Sequence, residues 1–400
     1  MEDLIALKEQ LRIKSIGNDP ASKQAAIEII PIINQAICLT QKYDSVVANP
    51  PYMGLKGMNG ALKSFAKNEF LKSKYDLFAM FMERAFMLLK DNGYNSQVNM
   101  QSWMFLSSYE ELRDWLLERK TFISLAHLGA RAFGQISGEV VQTVAWVIQN
   151  QNLKSYQPVF QQVTNKKKKE KSENLKSNTS RFDSANQEDF LKIPGSPLAY
   201  WVSDSLRNSF SENDRFESVA PTRKGMVTAR NEDYVRYWFE VSKSKCGLDR
   251  IPDRNSASES GFKWFSYLKG GGYRKWYGNK LDVVNWENDG WLLQNRKHPT
   301  EGRVWATNFN LEYIFKPNVN WGAISSFGFS ARLSFGGELF DAGGSACFPT
   351  KLSEQSILGF LNSEMAQTLL KSLNPTLNFQ AGNIANLPIS EDLDSKETKE

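Results

Sequence analysis

The chain has 400 residues, 41% hydrophobic, 12% aromatic and 23% charged, enough apolar material for two or three folded domains, which excludes a chain disordered throughout. A formal net charge of +5 fits a polyanionic partner without requiring one. Three cysteines far apart in sequence exclude a disulfide framework or a cysteine-based zinc site and suit a reducing cytoplasm, two histidines leave little for triad or metal chemistry, and no run approaches the ~18 apolar residues of a membrane span.

Residues 1–42 read as two helices about a turn at Gly17-Asn18-Asp19-Pro20. Asp19 or Ser22 is the cap of the second, and Pro31 marks a kink or break within it. The start, MEDLIALKEQLRIKSIG, has no apolar leader run. Asp44–Ala48 is short and β-branched and reads as a buried strand, ending directly at Asn49-Pro50-Pro51-Tyr52. A Gly- and Lys-rich loop follows, then a helix from Asp76 to Leu89 with Leu77, Met80, Phe81, Ala85 and Leu88 on its apolar face. Asp76 is expected to cap that helix and Asp91-Asn92-Gly93 to end it, before a strand in YNSQVNMQ.

Residues 107–119 form an amphipathic helix capped by Ser107 or Ser108. Phe122–Leu128 and Val140–Gln149 are strands whose short connection predicts an antiparallel pair at one sheet edge. The alternation of strand and helix over 43–160 indicates an α/β sheet. Residues 161–190 are lysine-rich and polar and read as a flexible loop; the run Lys166–Lys169 fits a solvated surface better than a nucleic-acid contact. From 191 to 390 short, aromatic, glycine-punctuated segments predict a second, mixed domain with most of the tryptophans, one late helix over Ser353–Leu370, and a polar tail at 391–400.

The four residues at 49–52 carry the sharpest chemistry. Adenine N6 is a poor nucleophile because its lone pair is delocalised into the ring. Two acceptors holding its N–H groups let the nitrogen become tetrahedral as it attacks a methyl. Asn49 offers a side-chain amide oxygen, and Pro50 offers a carbonyl in a backbone that Pro51 biases toward an extended form. Tyr52 offers a flat face worth about 1–3 kcal/mol to a base swung out of the duplex. The plain alternative is a strand-ending turn, since Asn and Pro are ordinary turn residues. The strand leading in favours a site, because ligands of open α/β sheets sit at the carboxyl ends of strands.

YDSVVANPPYMG resembles motif IV of the amino-methyltransferases in its (Asn/Asp)-Pro-Pro-Tyr form. Longer segments, among them SKYDLFAMFMERAFMLLKDNGY, NMQSWMFLSSYEELRDWLLE, SLAHLGARAFGQISGEVVQT, KGGGYRKWYGN and NPTLNFQAGNIANLPI, resemble one family. It is that of the adenine-specific (N6) DNA methyltransferases of the BREX phage-exclusion systems (the PglX family). The resemblance implies a partial Rossmann-like, S-adenosylmethionine-dependent methyltransferase sheet over 43–160, its C-terminal half, followed by a mixed α+β target-recognition region. It also implies double-stranded DNA as substrate, with Asn49, Pro50, Pro51 and Tyr52 as the base-holding residues. Phe133 is the candidate for a second stacking face, or else a core aromatic, and His127 reads as a packed core histidine.

Members of that family place a Phe-x-Gly-x-Gly donor loop upstream of the Asn-Pro-Pro-Tyr strand. Gly17 is the only glycine ahead of Asn49 here, so the donor pocket is expected to come from a missing upstream region. An upstream methyltransferase half or other BREX proteins are then the expected partners. In the recognition region, Gly270–Gly272 lie among Lys263, Lys269, Arg274 and Lys275, with Arg223 and Lys224 further back, an arrangement suited to phosphates and base edges. The competing reading of 261–290 is a β-hairpin with a glycine turn and an aromatic core. Two other functions stand beside the DNA enzyme: a catalytically silent DNA- or partner-binding fragment, and an N5-glutamine methyltransferase of proteins. The aromatic, basic region after 190 disfavours the latter.

Overall fold

The computed structural model describes residues 1–130, 132, 142–164, 168–248 and 251–395. The chain divides into two compact units, Met1–Leu191 with Gly195–Trp201, and Lys192–Pro194 with Val202–Glu400.

The first unit opens with α1 (Glu2–Ser15) and α2 (Pro20–Thr40). The Asp19 carboxylate caps α2 by accepting from Ser22 N at 3.1 Å, and Pro31 lies inside a helix assigned without interruption. Next come β1 (Tyr43–Ala48), α3 (Gly60–Glu69), α4 (Leu77–Leu88), β2 (Leu89–Met100), α5 (Glu110–Arg119), β3 (Thr121–Ala130), β4 (Gln142–Gln149), β5 (Val159–Gln162), α6 (Lys168–Ser177) and β6 (Arg181–Phe182). The six strands form one mixed sheet in the order β1-β2-β4-β3-β5-β6. β1 runs parallel to β2 and β5 to β3, while β4 is antiparallel to both its neighbours. Trp103, Trp146, Phe122, Phe160 and Tyr200 dominate the core beneath it.

Several expectations change. β3 and β4 do pair antiparallel, but at the centre of the sheet rather than its edge, because β5 and β6 extend it beyond β3. β1 is the edge strand and is not buried; Val47 is 77% exposed. The presumed loop after Tyr52 contains α3, nucleated by Asn59, whose Oδ1 accepts from Leu62 N at 2.9 Å. Asp91-Asn92-Gly93 does not end α4, which stops at Leu88. It forms an irregularity inside β2, where the register with β1 jumps from Tyr43/Leu89 to Ser45/Tyr94 and Asn92 takes φ +65°. On α4 the expected Met80 and Ala85 are buried, together with Phe78, Ala79, Met82, Glu83 and Phe86, while Phe81 is exposed. A helix apolar on nearly all sides leaves the choice of face to tertiary packing.

α5 starts at Glu110 after a single tight turn at Ser107–Tyr109 and has no side-chain cap. Tyr109, buried against Tyr75 and Phe78, sets its entry instead of a serine. The lysine-rich stretch is ordered where described: α6 buries Lys171, whose ammonium donates to the carbonyls of Leu128 and Ala130 at 2.5 Å each. Lys166 and Lys167 lie outside the described residues.

The second unit is built from short elements: α7 (Asp204–Glu212), β7 (Asp214–Arg215), β8 (Thr222–Arg223), α8 (Asn231–Tyr234), β9 (Val235–Tyr237), β10 (Cys246–Gly247), α9 (Arg254–Glu259), β11 (Trp264–Leu268), β12 (Asp282–Asn285), α10 (Glu287–Asn295), β13 (Asn318–Trp321), β14 (Ala331–Ser334), β15 (Leu339–Phe340), β16 (Ala346–Cys347), α11 (Glu354–Asn362), α12 (Glu364–Leu373), α13 (Ala381–Ala385) and β17 (Pro388–Ile389). One sheet is ordered β10-β11-β12-β9 with β15 also on β11, a second β14-β13-β16-β8, and β17 pairs with β7. Residues 261–290 do contain an antiparallel pair, β11 with β12, joined by the glycine-rich loop 269–281. The late helix is two, broken at Ser363. No helix among the described residues is long and apolar enough to cross a membrane.

Candidate functional site

β1 delivers Asn49 to its carboxyl end, where the residue is exposed and its side-chain amide is unbonded among the described residues. Pro50 is buried and Pro51 exposed. Tyr52 turns inward, half-buried, with its ring edge-on to Phe78 at 6.0 Å. Behind it Phe78 and Tyr109 are 5.9 Å apart and Tyr109 and Tyr75 6.0 Å, so an aromatic train backs the turn. Burial, and then the nearby Asp76 charge, raise the pKa of the Tyr52 phenol. Its hydroxyl is buried with no partner among the described residues.

Asp76 holds the turn. Its Oδ1 accepts from Met53 N at 2.9 Å and from Phe78 N at 3.3 Å, so one carboxylate caps α4 and pins the residue after Tyr52. Backbone bonds complete the clasp, from Leu77 N to Met53 O at 3.1 Å and from Leu55 N to Tyr75 O at 3.2 Å. Burial raises the Asp76 pKa against the backbone N–H groups of Met53, Phe78 and Leu77, which lower it. Sequence reasoning found the cap but not the second bond. The separation of 23 positions between Asp76 and Met53 carries no periodic signal for it.

On β2 the alternate residues Asn95, Gln97 and Asn99 are buried amides. Asn99 Oδ1 accepts from the indoles of Trp103 and Trp146, each at 3.1 Å, which ties the carboxyl end of β2 to β4 and to the turn that follows β2. Polar residues at every second position were the available signal. His127 is a packed histidine: its Nδ1 lies 2.9 Å from Tyr200 Oη, its Nε2 bonds Gln101, and burial takes its pKa down to about 4. Phe133 lies outside the described residues.

A methyl donor of the S-adenosylmethionine type needs a cradle beside β1, usually a glycine turn between strand and helix. The residues ahead of β1 form α1 and α2, and among the described residues β1 has only β2 as a neighbour. The described residues therefore do not fit the donor as a complete site.

In the second unit tertiary contacts sort the basic residues. Arg223 pairs with Glu217 at 2.8 Å, donates to Tyr313 Oη at 2.8 Å and stacks over that ring. Lys263 faces Glu287 at 3.5 Å, and Lys275 donates to Asn362 O at 2.8 Å. Arg230, further along, pairs with Glu232 and Asp233. These four have structural partners. Arg274 is exposed, while Lys224 and Lys269 line one cleft. Phe265 and Tyr267 form the aromatic core of the β11–β12 pair, whereas Tyr273, Trp276 and Tyr277 of its loop are exposed.

Residues 5–133 match the family model of the Eco57I restriction-modification methylase. The chain is 48% identical over 395 residues to the adenine-specific methyltransferase BrxX of Escherichia coli O9:H4 (strain HS), a match covering 97% of this chain and 31% of that protein. It is 36% identical over 371 residues to the adenine-specific methyltransferase PglX of Lacticaseibacillus casei (strain Zhang), covering 91% of this chain and 30% of that one. The chain thus spans about a third of the length of these relatives. Among solved structures, the Type IIL restriction-modification enzyme MmeI in complex with DNA superposes with a TM-score of 0.55 at 11% identity, over 85% of this chain and 46% of that one, a likeness of fold.

Proposed function

We propose that this relative of the BREX adenine-specific methyltransferases supplies the base-holding and sequence-reading parts of a site-specific DNA adenine-N6 methyltransferase in a phage-defence modification system. The observation that carries the reading is the Asn49–Tyr52 turn at the carboxyl end of β1, clasped by Asp76. Asn49 Oδ1 and the Pro50 carbonyl accept the two N–H groups of a flipped adenine, and drawing on both hydrogens returns electron density to N6. Tyr52 covers one face of the base, and Phe133 is assigned the other. The donor, S-adenosylmethionine, supplies an electrophilic methyl, and we assign the groups that hold it to a segment or chain that adds to the β1 edge. Val47, exposed on that edge, supports the assignment. Double-stranded DNA is the substrate, and other BREX proteins are the proposed partners.

The test is N6-methyladenine in host DNA from cells carrying the native gene or its Asn49→Ala form. Loss of a preorganised hydrogen bond to the reacting group lowers the rate by about 100-fold or more, so methylation is expected to vanish from a sequence-defined set of sites. An unchanged methylation map for Asn49→Ala would defeat the enzymatic reading and leave a silent DNA- or partner-binding piece. Titration of labelled S-adenosylmethionine against residues 1–400 addresses the donor assignment, since tight binding by this chain alone overturns it.

A further inference from the structure

Four strand ends of the second unit meet at a point where the backbone is packed too closely for side chains. A Cβ on Gly270 would lie 2.1 Å from Gly343 O, and one on Gly344 would lie 2.2 Å from Leu268 O. These contacts bring the ends of β11 and β15 against the start of β16, with Gly322, after β13, beside them. Backbone bonds extend the junction to the C-terminal segment, from Ala323 N to Gly343 O and from Phe379 N to Ala323 O. Above it lies a cleft of about 630 Å³ whose walls include Lys224, Lys269, Ser345, Asn378 and Gln380.

The walls mix these polar groups with the small apolar side chains of Ala323, Ala342 and Ala381 and with Ile324, over a glycine-rich base, so the cleft sets amides and two cations among apolar surface. Lys224 is exposed at the rim. Lys269 is steadied 3.7 Å from Asp341, which also accepts from Tyr267 Oη at 2.7 Å. Gln380 is held at the start of α13 by a reciprocal pair of bonds with Asn383. Asn378 is exposed, and its side-chain amide makes no bond among the described residues, while its backbone pairs with Ile324. An unencumbered amide on a fixed backbone can bond adenine N6 and N7 together, and a lysine at a rim can meet a phosphate.

We infer that this cleft reads the DNA, with Lys224 on a phosphate and Asn378 on a base edge in the major groove. The inference rests on the DNA-methyltransferase reading and deepens it by naming the recognising residues. It also moves recognition away from Lys263, Lys275 and Arg223, whose partners are structural.

The test uses the full-length native protein, with any chain that copurifies, as wild type and as Lys224→Ala, Asn378→Ala and Asn49→Ala. Lys224 and Asn378 are exposed, so a matching thermal melt is expected for each variant. Binding to the methylated site and to single-base-pair variants of it is measured across a salt series. Lys224→Ala should weaken every sequence alike and reduce the slope of log K against log salt by about 0.9. Asn378→Ala should lose discrimination at one base pair, by about 5- to 150-fold, and leave the salt slope unchanged. If both variants keep wild-type affinity, slope and site preference while Asn49→Ala abolishes methylation, the cleft assignment is overturned and the enzyme reading stands. If the wild type binds no DNA, both fall.

Discussion

The turn at Asn49–Tyr52 and the cleft of the second unit are held by opposite means. A single carboxylate secures the turn, reaching Met53 N and Phe78 N, with a few backbone bonds between neighbouring segments. The cleft is secured by what is missing: at Gly270 and Gly344 no side chain separates backbones drawn from distant parts of the sequence. A clasp of the first kind is modest in energy and can be weakened by degrees. A close approach of the second kind tolerates no added atom, because an L side chain at φ +84°, as at Gly270, is strained even before it meets Gly343. The proposed chemistry is thus placed on a locally adjustable element, and the proposed reading surface on a rigid one.

The largest effect should come from breaking the rigid region. Gly270→Val combines left-handed strain with a collision against Gly343 O, and should cost about 3 kcal/mol or more. Urea unfolding followed by tryptophan fluorescence, which reports mainly on the tryptophan-rich second unit, is the measurement. An unchanged midpoint would show that the junction is not under the constraint the distances imply.

The turn should respond less in stability and more in activity. Asp76→Ala removes the α4 cap and leaves Met53 N unpaired, at about 1–2 kcal/mol, and lets the residue after Tyr52 drift. DNA methylation by the native protein should fall well beyond what that loss of folded protein explains. Asp76→Asn keeps an acceptor and cannot ionise, so it should preserve activity. The sign of the pH effect follows from burial, which raises the Asp76 pKa above its ordinary value. Such a group contributes stability that is fully present below the unfolded pKa and is lost as pH rises through the folded one. Wild-type stability should therefore decline relative to Asp76→Asn over that window, and parallel curves for the two would contradict it.

How much of this was legible in sequence follows the same division. Asp19 as the α2 cap, Asp76 as the α4 cap and the strand entering Asn49 were all readable, because each depends on residues within a few positions of one another. The β3–β4 pairing was readable too, but its place at the centre of the sheet was not. α6 and β6 come from a stretch whose lysines read as solvated, and one of those lysines, Lys171, is spent on carbonyls of β3. The basic residues near Gly270 looked alike in sequence. What separates Lys224 from Arg223 is Glu217 and Tyr313, and composition does not reveal a partner 90 positions away.

Ser363 gives the smallest effect. The apolar spacing over Ser353–Leu370 predicts one helix, yet α11 ends at Asn362 and α12 begins at Glu364. Ser363 closes the first by donating to Phe360 O at 2.6 Å and opens the second by accepting from Ala366 N at 3.1 Å. The break leaves Met365 58% exposed while Ile357, Leu361 and Leu369 stay buried. If the hydroxyl makes the break, Ser363→Ala should cost about 1 kcal/mol, the worth of an N-cap, and Ser363→Asp should restore most of it in a thermal melt. If Ser363→Ala is neutral or stabilising, tertiary packing imposes the bend and the serine only decorates it. That would place this helix pair with the glycine junction, held by distant contacts, and leave the Asp76 clasp as the better example of structure written locally.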